Sequence, residues 1–193
     1  NIQEGLEGQV IGHPLADWSA LETWRPPNPL THSERGTRDW AVVRRDMEAR
    51  KSKGLLTHGG AERLFDRLYF LRGFDALMMD FAEQRPELDR LIEMLTGYEL
   101  KVIAEWRKIG VDMISFHTDI GTQASTMISP EAFRRQVKPM FRTLFRAVRD
   151  AGSLVYLSSD GNITGIVDDL VECGLQAHDP QLRATGLDGL RRF

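Results

Sequence analysis

His117-Thr118-Asp119-Ile120-Gly121-Thr122-Gln123 follows the run VDMISF at residues 111–116. An aspartate can accept N–H donors or take a proton, and an imidazole carries a proton near neutral pH. Gly121 lets the backbone turn sharply between them. A second group, Ser158-Ser159-Asp160-Gly161-Asn162, follows the apolar run LVYL, and Thr57-His58-Gly59-Gly60 and His178-Asp179 repeat the theme. The chemistry these residue types suit is proton transfer, with His117, Asp119 and Asp160 as the candidate catalytic groups. Ser, Asp and Asn also form turns for their own backbone bonds, so one such cluster by itself reads first as a cap. Four clusters at the ends of successive segments read as the rim of a binding site.

The elements that must position these groups follow from periodicity and punctuation. Residues 1–36 are irregular, with three prolines in ETWRPPNPL and with Trp18 and Trp24 as anchors onto a body. A polar helix is predicted over 37–53, a short strand and turn at LLTHGG, and helix over 61–83 interrupted near Arg72-Gly73. Pro86 opens a helix whose apolar positions recur at helical spacing up to Gly110. VDMISFHT, SLVYLSS and LQAHD read as strands. A helix capped by Ser129 and kinked at Pro139 separates the first two, and ITGIVDDLVECG separates the last two. LDGLRRF starts another helix. Strand and helix alternation predicts a parallel sheet with crossover helices. Ligands of such folds bind at the carboxyl ends of the strands, where all four clusters are expected.

Bulk properties exclude several classes. The 193 residues suit one domain, residues 1–193, and 41% hydrophobic content suffices for a core. A net charge of −3 provides no general attraction for nucleic acid, and no apolar run is long enough for a membrane span. One cysteine, Cys173, forbids an internal disulfide and fits a reducing, cytoplasmic setting; its place in an apolar stretch reads as core. No close His or Cys pair has a ligand spacing, so no metal is expected. The cations of 130–149 read as a solvated outer helix face.

FHTDIGTQ, MISPEAFRRQVKP, YLSSDGNI and DDLVECGLQAHDPQ, with LFDRLYFLRGFDALMMD upstream, resemble the uroporphyrinogen decarboxylase-like family over roughly residues 10–193. The resemblance implies a (β/α)8 barrel. It implies a cofactor-free decarboxylase acting on a carboxylated, porphyrinogen-like small molecule, as in porphyrin and haem biosynthesis. The family also holds zinc-dependent methyltransferases that act with corrinoid proteins, and uncharacterised members. Methyl transfer is therefore one alternative, and a non-catalytic ligand-binding homologue or fragment is another.

Carried over position by position, Tyr69 stands where the decarboxylases have an active-site tyrosine, and Thr118 where they have a substrate-contacting serine. Gln123, Ser159 and Asn162 complete the expected substrate-binding set. His117 replaces an aspartate of the decarboxylases. Ser158 and Asp160 stand where the methyltransferases need His-x-Cys, so their zinc site is not kept. The Ser-Ser-Asp-Gly here is nearest the His-Ser-Asp-Gly of the uncharacterised branch. Only about four strands are legible, whereas a closed barrel takes about 250 residues. The expectation is an incomplete, central part of a barrel, truncated at both ends and inactive alone. The alternative to such a truncated piece is a short chain whose open sheet edges are shielded by self-association as a homo-oligomer.

Overall fold

A computed structural model describes residues 10–33 and 36–191. Asp17 caps a short 3-10 helix at Trp18–Glu22 by accepting the Ser19 N–H. Trp18 Nε1 donates to Asp80 Oδ1 at 3.1 Å, and Trp18 and Trp24 both pack on the core as anchors. A two-residue ribbon follows, β1 (His32–Ser33) antiparallel to β2 (Gly36–Thr37). Asp39 then caps α1 (Trp40–Lys51) through the amides of Ala41 and Val42, so this helix starts at Trp40, just after its capping aspartate and three residues later than predicted.

The main sheet has four parallel strands in sequential order: β3 (His58–Arg63), β4 (Met113–His117), β5 (Leu154–Ser159) and β6 (Ala177–Pro180). Helices α2 (Phe65–Arg72), α3 (Phe74–Glu83) and α4 (Pro86–Ile109) join β3 to β4. The β4–β5 connection is α5 (Pro130–Ala132), a π-helical turn (Phe133–Val137) and α6 (Lys138–Asp150). A 3-10 turn (Thr164–Ile166) and α7 (Val167–Cys173) join β5 to β6, and α8 (Leu182–Leu190) follows. Neighbours in sequence are neighbours in the sheet with no reversal of order, which is the winding of a β/α barrel rather than of a doubly wound sheet.

Alternation sorts the side chains of each strand. Ile114, Phe116, Val155 and Leu157 are buried, and Phe116 meets Phe145 of α6 at 5.2 Å between ring centres. Met113, Ser115 and His117 occupy the opposite face with Tyr156 and Ser158, their register partners or next neighbours on β5. Gly59 is required where β3 meets α4: a Cβ there would lie 2.6 Å from the Trp106 indole, whose Nε1 donates to the Gly60 carbonyl.

Two sequence expectations need correction. The segment 61–63 is strand, not helix, because β3 runs on to Arg63 and α2 begins only at Phe65. The Thr57–Gly60 cluster therefore lies at the opposite end of the sheet from the rim. His58 pairs with Met113, the first residue of β4, and Thr57 is buried with its N–H and hydroxyl both donating to Asp112 Oδ2. Pro139, which lacks an N–H, does interrupt regular helix, and the π turn just before it absorbs the missing bond. The cationic face of 130–149 is partly an ion-pair strip. Lys138 is buried and binds Asp169 at 2.7 Å, and Arg134 binds the same carboxylate at 2.9 Å. Cys173 is buried.

Candidate functional site

The carboxyl ends of the four strands bring Arg63, His117, Ser159 and Pro180 to one rim. Arg63 and His117 are register partners there, and His117 pairs onward with Ser158. Both side chains are exposed. The chain leaves β4 at His117, and the Thr118 N–H still donates to the Ser158 carbonyl. Thr118 itself is buried, and its Oγ1 accepts the Phe65 N–H at 3.0 Å. It thus fixes the start of α2 against the rim, with its hydroxyl turned into the protein.

Asp119 joins two loops. Its backbone N–H donates to Asp66 Oδ2 at 2.9 Å, while its own Oδ1 accepts the Asp160 N–H at 3.1 Å. Its other oxygen lies 4.0 Å from Arg63. Asp66, in the first turn of α2, is buried and also accepts the Tyr69 hydroxyl at 2.6 Å. Burial raises the Asp66 carboxyl above the usual aspartate range, against the lowering effect of its two hydrogen bonds. Burial, followed by the bond to Asp66, drives the Tyr69 phenol well above its ordinary value. Tyr69 therefore stays protonated as a donor.

The loops after β4 and β5 touch through their glycines. A Cβ on Gly161 would lie 2.2 Å from the Gly121 carbonyl carbon, and Gly161 holds φ +80. The Asn162 N–H donates to the Thr122 carbonyl, and the Asn162 amide donates to the Ala124 carbonyl. Gln123 donates to Gln181 Oε1, which also accepts the Gly161 N–H at 3.0 Å. Ser159 is buried with its hydroxyl bonded to the Asp160 carbonyl. His178 sits below the rim, its Nδ1 at 2.9 Å from the Leu157 carbonyl, and burial lowers its proton affinity.

Of the eight sequence candidates, His117, Asp119, Asp160 and Gln123 present side chains at the surface of one rim, and Tyr69 lies half-buried behind Asp119 through Asp66. Thr118, Ser159 and Asn162 shape the loops. Sequence reasoning passed over Arg63 and Asp66, because helix drawn from residue 61 hides the true strand end. The available signal was Asp66 three residues before Tyr69, a spacing that joins their side chains on one helix face. Among the described residues no three His, Cys, Asp or Glu side chains are grouped to hold a metal ion, and Ser158 and Asp160 do not supply the His-x-Cys set of a zinc methyltransferase.

A sequentially wound parallel sheet with exposed polar groups at its carboxyl edge is the scaffold of a β/α barrel. The chain belongs to the uroporphyrinogen decarboxylase (URO-D) family, whose model matches residues 7–180. It is 27% identical to the uroporphyrinogen decarboxylase of Thermus thermophilus, over 95% of this chain and 54% of that protein. The fold is similar to that of a methyltransferase from Methanosarcina mazei, with a TM-score of 0.64 and 20% identity over 82% of this chain and 45% of that one. The chain thus spans about half the length of these relatives, and its four strands correspond to an incomplete barrel. Among the described residues no helix is long and apolar enough to cross a membrane.

Proposed function

We propose that this chain, as part of a complete barrel, removes carbon dioxide from a carboxylated, porphyrinogen-like small molecule without a cofactor. The observation that carries this reading is the rim itself: His117 beside Arg63, with Asp119 within 4.0 Å of Arg63 and bonded to the Asp160 loop. Arg63 offers a cation to a substrate carboxylate. Asp119 and Asp160 accept N–H donors of the substrate. Loss of carbon dioxide leaves the bonding electron pair on carbon, and a proton must then be delivered to that carbon. We assign that proton to His117, whose exposed imidazole stands on the same rim as Arg63. Tyr69 and Asp66 keep the Asp119 loop in place, and Gln123 borders the site.

The family membership and the resemblance to the Thermus decarboxylase support decarboxylation, whereas the departure at His117 points to a substrate other than uroporphyrinogen itself. The test is product formation from uroporphyrinogen and from smaller polycarboxylates by a complete barrel that carries this chain, with its wild-type, His117→Ala and Asp119→Ala forms assayed in parallel. Turnover of a polycarboxylate that falls at least about 100-fold in both variants is expected. Undiminished turnover in either variant removes that residue from the mechanism, and methyl transfer without carbon dioxide release would sink the reading.

A further inference from the structure

A cavity of about 250 Å³ shares Arg63 with the rim and is otherwise lined by the N-terminal segment, the end of β3, α2 and α4. Trp24, Pro26 and Pro27, with Leu71 of α2 and Leu95 of α4, give it an apolar lining. Its polar lining comes from Arg63, Arg67, Tyr98 and two acids, Glu62 and Glu99. Both acids are at least nine-tenths buried.

Two buried carboxyl groups next to one another cannot both ionise cheaply. Arg67 donates to Glu62 at 3.4 Å, and Arg38 lies 3.7 Å from its other oxygen, so Glu62 is the member held as an anion. Glu99 accepts the Glu62 N–H at 3.3 Å, and burial and the Glu62 charge push its pKa up to about 8, against the opposing pull of Arg38 and Arg67. At neutral pH it is a carboxylic acid, which can donate a hydrogen bond. Among the described residues, Arg63 reaches its nearest carboxylates at 3.7 and 4.0 Å, beyond hydrogen-bond length.

We infer that this cavity is a binding site for a small monocarboxylate with a flat or branched apolar body, its carboxylate shared between Arg63 and Glu99 and its body held by Trp24, Leu71 and Leu95. The volume suits a molecule of the size of benzoate. An amine in the same place would stand beside Arg63 and would require Glu99 to give up its proton, so the site discriminates by charge. A neutral amide loses the ionic bond to Arg63. Arg63 is common to this cavity and to the proposed rim site, but the inference concerns binding and not turnover, so binding without turnover and turnover without binding separate the two readings.

The test is calorimetric titration of the 193-residue chain with benzoate, benzamide and benzylamine. Benzoate is expected to bind saturably, at least about 10-fold more tightly than the other two. Glu99→Gln retains an uncharged donor, so it should keep benzoate binding at neutral pH. It should also abolish the weakening that wild type shows above about pH 8 as Glu99 ionises. Leu95→Trp, which fills the cavity, should remove binding, while Arg146→Ala, which removes an exposed cation on α6 outside both sites, should leave it unchanged. Circular dichroism establishes that each variant is folded, and the three-ligand comparison on wild type needs no variant. The inference is overturned if benzylamine binds as well as benzoate, if benzoate shows no saturable binding below about 10 mM, or if binding survives in folded Leu95→Trp.

Discussion

Asp66 shows what a single buried carboxyl can organise. It receives the Tyr69 hydroxyl and the Asp119 N–H, so both Tyr69 and the Asp119 loop depend on it. Asp66→Ala leaves those two donors without their partner. We expect a loss of roughly 2–3 kcal/mol, read as a lower urea midpoint, and a larger fall in any rim-dependent turnover than Tyr69→Phe causes. Tyr69→Phe removes one donor and leaves the Asp119 N–H bonded. Equal effects of the two substitutions would show that Asp66 acts only through Tyr69.

Glu99 makes a pH prediction with a definite sign. Its pKa is near 4.5 as an ordinary glutamate and about 8 in the folded protein. Below about 4.5 both states hold the proton. Between the two values the folded state keeps a proton that the unfolded state has lost, so rising pH favours unfolding through this group. Glu99→Gln has no such proton to lose. Urea midpoints of wild type and Glu99→Gln should be close near pH 5 and should diverge, in favour of the variant, by on the order of a few kcal/mol near pH 8. A gap that stays constant with pH would mean that Glu99 is ionised in the folded protein.

Among the elements, the two rim loops are tied by a contact that only glycine permits. Gly161→Ala places a methyl group against the Gly121 backbone and forces a left-handed φ on alanine. The loops must separate, breaking the Asp119–Asp160 and Gln181–Gly161 bonds. The expected cost is about 2–4 kcal/mol in denaturant unfolding, together with loss of rim function even where the helices stay folded. Gly165→Ala is the matched control, since a Cβ there meets only the Pro130 ring at an ordinary 3.5 Å.

For the whole molecule, the outer edges of β3 and β6 have no strand partner among the described residues. Such edges template pairing with another chain. We expect the isolated 193-residue chain to self-associate, with a sedimentation mass that rises with concentration. We expect it to show no decarboxylation of its own, because barrel chemistry draws on several strand ends at once. A monodisperse monomer at all concentrations would contradict the first expectation, and turnover by the chain alone the second.

By itself the sequence determined the class of fold, because that depends on local, periodic signals. The runs VDMISF and SLVYLSS, the capping Ser129, Pro86 at a helix start and Gly110 at a helix end each report on their immediate neighbours, and the observed elements follow them. It also placed His117, Asp119 and Asp160 at strand ends, since a polar cluster after an apolar run is a local pattern. Strand β3 was less legible: HGGAER lacks β-branched residues, and it holds as a strand only through pairing with β4 and contact of Gly59 with Trp106. Only the tertiary structure decided that Thr57–Gly60 lies at the far end of the sheet, that Arg63 and Asp66 join the rim, and that Glu62 and Glu99 share one cavity. Those facts rest on contacts between residues distant in sequence, such as Asp66 with Asp119 and Glu62 with Glu99. Burial then sets which carboxyl keeps its proton, and burial is a property of the packed chain that no local pattern encodes.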